Sequence, residues 1–512
     1  MTKILDCTFR DGGYYTDWDF SEEIIDTYIN AMNGLPIDYL EIGYRSNSSN
    51  KYLGRFGYTP IKELEKIRAK SNKKLAIMLN EKEVSISDAY ALLKPIIGLV
   101  DMIRIAIDPI NFERAIILAR TIKKMGFEVG LNCMYMSKWL SDYPEFISKL
   151  GVLDDFADLF CMVDSYGGIV PDDLKHIYTE VQKNTAVPIG FHGHNNLQLS
   201  LINTITAIKL GVNYVDATIL GMGRGAGNLN MELLLTYLNA YNNLPVDFNI
   251  LGDVISSFIP LMNKYRWGTN LPYMIAGANK IPQKEVMDLV TNRTYSFNSV
   301  VRSLSNRVVN VEDNAKYPIL SEKKYKNVIV VGGGRSPIDH FQGIKSFVNS
   351  RTSVALVFAT ARHAHLFDNI SNVDKYYCLV GREAKRLEQN VKNNYFQDTC
   401  ILPPYPRKLG TEVPHFAVKN TFELCKVEFT NLYQDSCTAI AIQTALNLSI
   451  DNIFAVGYDG YTGITLSEKE LSLTKENRAL FNHYFTFTGH KMKSLTPSLY
   501  SELDILSIYQ FI

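Results

Sequence analysis

Asp6-Cys7-Thr8-Phe9-Arg10-Asp11-Gly12-Gly13, near the start of the chain, and His192-Gly193-His194-Asn195-Asn196, far along it, decide how this sequence is read. An aspartate loop and an H-x-H are each ordinary. At the mouths of the first and seventh strands of one closed barrel they become a metal site, because only closure brings a first strand near a seventh. Side chains alternate along a strand, so His192 and His194 face the same way. Asp11 then comes within reach of the same cation, with Asn228 between them. Two imidazoles, a carboxylate and an amide oxygen suit Mn²⁺ first, with Mg²⁺ or Zn²⁺ as alternatives, and leave positions open for substrate. The bland alternative is that the histidines only hydrogen-bond at the mouth. For a lone H-x-H that alternative prevails; with Asp11 and the strand context the metal is favoured.

The pattern around these segments predicts the closure. Apolar, β-rich runs at Lys3–Thr8, Tyr39–Gly43, Lys74–Leu79, Met102–Ile107, Glu128–Met134, Leu159–Asp164, Pro188–His192 and Tyr214–Ile219 alternate with amphipathic stretches. Eight such units predict an α/β fold with a (β/α)8 TIM barrel over residues 1–230. An open doubly wound sheet also alternates. The barrel is preferred because Arg10, Asp11, Glu41, Arg45, Asn80, Asn132, Asp164, Ser165, His192, His194 and Asn228 all fall at the carboxyl ends of strand runs.

Residues 231–315 read as a helical extension and linker, with helical spacing in Glu232–Asn242, Asp253–Tyr265 and Gln283–Thr291 and a polar stretch from Asp313 to Lys326. A second, Rossmann-like α/β domain is expected over residues 326–512. Its Val328-Ile329-Val330-Val331 run leads into Gly332-Gly333-Gly334-Arg335-Ser336, and a helix pattern at Asp435–Leu448 leads into Val456-Gly457-Tyr458-Asp459-Gly460.

Bulk composition narrows the function. The 512 residues carry 53 Lys plus Arg and 53 Asp plus Glu, so the net charge is zero, which argues against nucleic-acid or anionic-membrane partners. No apolar run is long enough to span a bilayer, and the charged Arg10-Asp11 segment leaves no room for a signal peptide. Seven scattered cysteines without a C-x-x-C fit a reducing, cytoplasmic setting rather than a disulfide framework.

Four segments together resemble the DRE-TIM metallolyases. Asp6–Gly13 is similar to their D-x-T-L-R-D-G opening, His192-Gly193-His194-Asn195 to their H-x-H-N, Asp164-Ser165-Tyr166-Gly167-Gly168 to their D-S-x-G segment, and Gly221-Met222-Gly223-Arg224-Gly225-Ala226-Gly227-Asn228 to their glycine-rich loop. The resemblance covers about residues 1–300. It is nearest to 4-hydroxy-2-oxovalerate aldolase, with 3-hydroxy-3-methylglutaryl-CoA lyases and isopropylmalate-type synthases further off. It implies a carbon–carbon lyase in which Asp11, His192 and His194 hold the metal, Asn228 supplies a fourth ligand, Arg10 stabilises an enolate and Ser165 meets a pyruvate carboxylate. Making or breaking a C–C bond beside a carbonyl passes through an enolate, whose charge a Lewis acid and a guanidinium both stabilise. Glu41, Arg45 and Asn132 are assigned to substrate on position alone. Asp6 is assigned a buried hydrogen-bonding role below the metal. There is one departure: where the aldolases carry a proton-transferring histidine, this chain has Tyr14, either an acid/base or a wall of the pocket.

The expected partners are a small keto acid and an aldehyde, and the expected assembly is a homo-oligomer. In the C-terminal half, Gly332, Gly334 and Ser336, with Asp459, outline a weak nucleotide or nucleotide-sugar site at a helix N-terminus. A glycine turn needed only for packing explains them equally well. This half partly resembles bacterial sialyltransferase-like domains, which accompany cell-surface polysaccharide enzymes. His363-Ala364-His365 reads as a solvated loop or helix start, not a second metal site. Two other functions fit the barrel: an acyl-CoA-dependent Claisen-type synthase, and a silent barrel supporting the C-terminal domain.

Overall fold

The first eight apolar runs close into a barrel of parallel strands in the computed structural model, which describes residues 2–48, 50, 52–291, 297–311, 314–321, 323–370, 373–390, 396–462 and 466–512. The strands are β1 (Lys3–Asp6), β2 (Tyr39–Tyr44), β3 (Lys74–Asn80), β4 (Met102–Ile107), β5 (Glu128–Cys133), β6 (Leu159–Asp164), β7 (Ile189–Gly193) and β8 (Tyr214–Ala217). Closure is made by β1 on β8, in register from Lys3 opposite Tyr214 to Asp6 opposite Ala217. Helices cover the outside and side chains fill the inside, so the strands are buried on both faces and rich in Ile, Leu, Val and Met.

The sequence reading needs one correction here. The segment after β1, expected as a loop, is a helix over Thr8–Thr16, despite its two glycines. Packing explains them. A Cβ on Gly12 would lie 2.6 Å from Met222 Sδ, and one on Gly13 would lie 2.1 Å from the Trp18 ring. The indole is pinned, because its Nε1 donates to the Arg10 carbonyl at 2.9 Å. Close approach, not flexibility, is what the glycines provide.

After β8 the chain turns through Gly221–Asn228 and runs into helices Met231–Asn242, Phe248–Tyr265, Leu271–Ala278 and Gln283–Thr291. Two compact units divide between Asp288 and Leu289, so the first three of these helices belong with the barrel. Asp313, where the polar linker was expected to open, lies outside the described residues. Among the described residues no helix is long and apolar enough to cross a membrane.

The second unit is built on a parallel sheet in the order β13-β12-β11-β10-β9-β14-β15-β16. Its strands are β9 (Tyr325–Val331), β10 (Val354–Phe358), β11 (Asp374–Cys378), β12 (Thr399–Leu402), β13 (Thr421–Glu423), β14 (Ser449–Val456), β15 (Lys493–Ser494) and β16 (Asp504–Ile505). The sequence order of the strands reverses between β9 and β14, while the strands themselves stay parallel. Val328 and Val330 pack on the Cys437–Leu448 helix, while Ile329 and Val331 pack with Ile344 and Phe347 on the other face. An uninterrupted apolar run in β9 follows from that two-sided burial.

Two predictions follow from burial. Gly13→Ala drives a methyl into the pinned Trp18 ring and should destabilise the barrel by about 1–3 kcal/mol, seen as a lower denaturant midpoint. In the second unit, burial raises the Glu476 carboxyl from 4.5 to about 7, Ser436 partly offsetting this and the Asp435 charge adding to it. The folded state therefore binds this proton more tightly than the unfolded chain. Its contribution to stability is greatest below pH 4.5, declines as pH rises to about 7, and is lost above that. Glu476→Gln should stabilise the protein relative to the parent at pH 8 by at most on the order of 3 kcal/mol, read as a higher Tm, with the gap closing toward pH 4.5. A gap independent of pH would contradict this.

Candidate metal centre

Arg104 is fully buried in the middle of the apolar strand β4, so its donors must all find acceptors inside the barrel. Nε donates to Asn132 Oδ1 at 2.8 Å, Nη1 to Glu41 Oε2 at 3.3 Å and Nη2 to Asp216 Oδ2 at 2.7 Å. Glu41 Oε2 also takes Arg10 Nε at 2.8 Å, and Arg10 Nη1 contacts Asp11 Oδ1. On the other side, Asp216 Oδ2 meets His192 Nδ1 at 2.9 Å, and His192 Nε2 lies 3.7 Å from Asp11 Oδ2. The result is a closed ring of Asp11, Arg10, Glu41, Arg104, Asp216 and His192, joining the helix after β1 to β2, β4, β7 and β8.

Two guanidinium groups in this ring face three carboxylates, leaving negative charge in excess in a buried place. Burial by itself would raise the Asp216 carboxyl, but Arg104 and then His192 outweigh it and hold the group at about 2. Asp11 is likewise lowered against its burial, chiefly by Arg10 and the two imidazoles. Both are therefore anionic at neutral pH.

His194 is the second imidazole at this mouth, beside His192. Its Nδ1 meets the Asp164 carbonyl at 2.8 Å, which leaves Nε2 with the lone pair. Burial, followed by the neighbouring His192, lowers its pKa to about 3, so the ring stays neutral. The two rings stand 5.0 Å apart. Asn228 is delivered by backbone pairing: it forms an isolated antiparallel bridge with His194, and the loop before it folds back through Asn228 N to Gly221 O at 3.0 Å. Its Nδ2 donates to Asp11 Oδ2 at 2.7 Å, while its buried Oδ1 has no hydrogen-bond partner.

That unpartnered oxygen, the excess of carboxylate and two imidazoles oriented through Nδ1 all fit a divalent cation on Asp11, His192, His194 and Asn228. Cys7, His192 and Asp216 also bring one donor atom each within 4.8 Å of one another. Asp216 there already serves Arg104 and His192 Nδ1, and burial, then Asp11, pushes the Cys7 thiol well above its usual range. We read Asp216 as the carboxylate that orients His192 from behind.

Other expected residues fall into distinct places. Asp6 is buried as anticipated, accepting from Thr8 N, Thr8 Oγ1 and Tyr28 OH. Glu41 and Asn132 hold Arg10 and Arg104 in place. Arg45 gives Nε to the carbonyl of Leu92 and Nη1 to those of Tyr58 and Thr59 and does not join the cluster. Asn80 pairs with Glu83. Ser165 Oγ accepts from Tyr135 N at 2.8 Å, which leaves its hydroxyl proton available. Tyr14 OH sits 3.0 Å from Tyr44 OH. Sequence reasoning missed Arg104, Asp216 and Tyr44. The signal for the first two was a charged residue inside an apolar strand run.

In the second unit the Asp459 carboxylate accepts from the backbone N–H groups of Arg335 and Ser336 and from Ser336 Oγ, and a Cβ on Gly334 would lie 2.6 Å from it. A phosphate reaching these amides must displace that carboxylate. The His363 segment is a helical turn, Ala361–Phe367, but His363 is buried rather than solvated, with Nε2 2.8 Å from the Gly334 carbonyl. A cavity of about 400 Å³ lies elsewhere, beyond the carboxyl ends of β11 and β12, between Leu379, Leu402, Tyr405, Arg407 and Tyr433.

A family model described as HMGL-like matches residues 1–254. Over these residues the chain belongs to the HMGL-like family. The N-terminal domain of a candidate aldolase from Bacteroides vulgatus, a crystal structure, is 65% identical, with a TM-score of 0.56; the match covers 59% of this chain and 99% of that one. An oxaloacetate decarboxylase from Mycobacterium tuberculosis is 25% identical, covering 50% of this chain and 75% of the relative. A 4-hydroxy-2-oxovalerate aldolase from Moorella thermoacetica is 27% identical, covering 54% and 82%. The barrel with its ring of charges lies within the HMGL-like domain.

If Asp216 orients His192 rather than binding the cation, Asp216→Asn should weaken Mn²⁺ affinity by about 10–100-fold without abolishing binding. Equilibrium dialysis measures this, and unchanged affinity would remove Asp216 from the account.

Proposed function

We propose that the HMGL-like domain is a divalent-metal-dependent carbon–carbon lyase acting through the enolate of pyruvate, with Asp11, His192, His194 and Asn228 as metal ligands. The observation that carries this reading is the buried ring with its excess carboxylate and the unpartnered Asn228 Oδ1. The relatives' names support it chemically. Decarboxylation of oxaloacetate and aldol cleavage of a 4-hydroxy-2-oxo acid both leave the electron pair of the broken bond on the enolate of pyruvate.

In the cleavage direction the 4-hydroxyl gives up its proton, the C3–C4 bond breaks, the aldehyde departs, and C3 of the enolate takes a proton to give pyruvate. A divalent cation on the four ligands supplies Lewis acidity toward the keto oxygen. Arg10, fixed by Glu41 and Asp11, directs its remaining donor capacity at the same developing charge. The Ser165 hydroxyl is assigned to the keto-acid carboxylate. Tyr14 and Tyr44, hydroxyl to hydroxyl, are assigned to carrying the proton where the aldolases use a histidine.

The test is NMR of pyruvate in deuterated buffer. The Mn²⁺-loaded protein should exchange the methyl protons, and metal-stripped protein should not. Asp11→Asn and His192→Ala should each lower the exchange rate by at least about 10³-fold. Full exchange in either variant after metal stripping would exclude the reading.

A further inference from the structure

Arg224 stands out at the barrel mouth because it lacks what the other buried arginines have. Its guanidinium carbon lies 3.7 Å from the centroid of the Tyr14 ring, in a cation–π stack. Its side chain is partly buried, and among the described residues it makes no hydrogen bond and no ion pair. Arg10 and Arg104, by contrast, are each held by two carboxylates. Arg224 faces the same site, close enough to interact electrostatically with Asp11, Arg10 and His194. A guanidinium held out of bulk water with its planar fork unused matches a carboxylate or phosphate from elsewhere.

Its position is fixed rather than loose. A Cβ on Gly223 would lie 2.7 Å from Asn228 Nδ2, and one on Gly225, which has φ +64°, would lie 2.3 Å from Gln283 Oε1. The loop on both sides of Arg224 is therefore packed against the ligand Asn228 and a buried glutamine. Tyr15 OH donates to the Gly225 carbonyl at 3.2 Å. Below the guanidinium, Tyr14 is held by Tyr44 and by the edge of Trp18, with ring centroids 4.9 Å apart.

We propose that Arg224 selects the electrophile: the aldehyde carries a carboxylate or phosphate, which the guanidinium grips in a fork while Tyr14 forms the floor beneath it. This rests on the pyruvate-enolate reading. Charge favours the aldehyde over the keto acid as the owner of that anion. The ring's one excess carboxylate and the keto-acid carboxylate together balance a divalent cation, which leaves the charge of Arg224 for a further anion. Position agrees. Ser165 follows β6, whereas Arg224 and Tyr14 follow β8 and β1.

The experiment compares glycolaldehyde phosphate with propionaldehyde as acceptors for pyruvate in the Mn²⁺-loaded full chain. The parent should prefer the phosphorylated aldehyde in kcat/KM. Arg224→Gln should collapse that preference by about 30-fold or more, and Arg224→Lys should restore part of it. Calorimetric binding of glycolaldehyde phosphate, which needs no turnover, should weaken in step with the lost preference. If Arg224→Gln lowers both aldehydes equally, or if pyruvate methyl exchange falls as far as the phosphorylated-aldehyde rate, the guanidinium does not select the electrophile and the proposal fails. If the parent shows no pyruvate exchange yet binds glycolaldehyde phosphate through Arg224, the enolate reading fails and the anion site stands.

Discussion

The barrel mouth is governed by the burial of unequal charge. Two arginines and three carboxylates sit in a ring that water does not reach, and β1 lying beside β8 lets Asp11 meet His192 and close it. A buried ion pair is a poor source of stability by itself, since desolvation offsets much of the attraction. Its use here is geometric. Arg104 fixes Glu41 and Asp216, Glu41 fixes Arg10, Asp216 fixes His192, and the result is one carboxylate and one imidazole facing each other 3.7 Å apart. A cation between them would relieve the excess negative charge, so the network that costs folding energy without metal becomes the source of affinity with it.

The same ring explains what the sequence revealed and what it hid. The eight strand runs were legible because each is apolar on both faces, and all eight predicted spans lie within two residues of the observed strand at each end. The first run ended too late: Cys7-Thr8 was read as strand and Arg10-Asp11 as loop, whereas Thr8–Thr16 is helical. Local propensity disfavours a helix through Gly12-Gly13, and only the contacts with Met222 and Trp18 show why glycine is required. Short strands at the edges of the second sheet, such as Lys493–Ser494 and Asp504–Ile505, carry no periodic signal at all.

At the site, the meeting of the histidine pair, Asp11 and Asn228 could be read from motif spacing, because closure of the barrel brings those segments together. Glu41 and Asn132 were assigned to substrate by position alone, and the structure adds a partner not foreseen: both accept hydrogen bonds from Arg104. That could not be foreseen, since the partner that explains them lies on another strand. Arg45 illustrates the converse. It lies at the expected end of β2, yet three backbone carbonyls take its donors. Position along a barrel strand thus shows which residues reach the mouth, while their hydrogen-bond partners come from other strands and loops.

Specificity is layered on this base rather than built into it. On the proposed reading the ring and the residues assigned to the metal carry the enolate chemistry, whereas Tyr14, Tyr44, Trp18 and Arg224 form an aromatic and cationic rim of their own. The central claim is the position of the cation. It is tested most directly by anomalous diffraction from crystals of the Mn²⁺-loaded protein. The account predicts one strong peak within about 2.0–2.3 Å of Asp11, His192 Nε2, His194 Nε2 and Asn228 Oδ1. A peak coordinated instead by Cys7 and Asp216, or no peak at the barrel mouth, would contradict it.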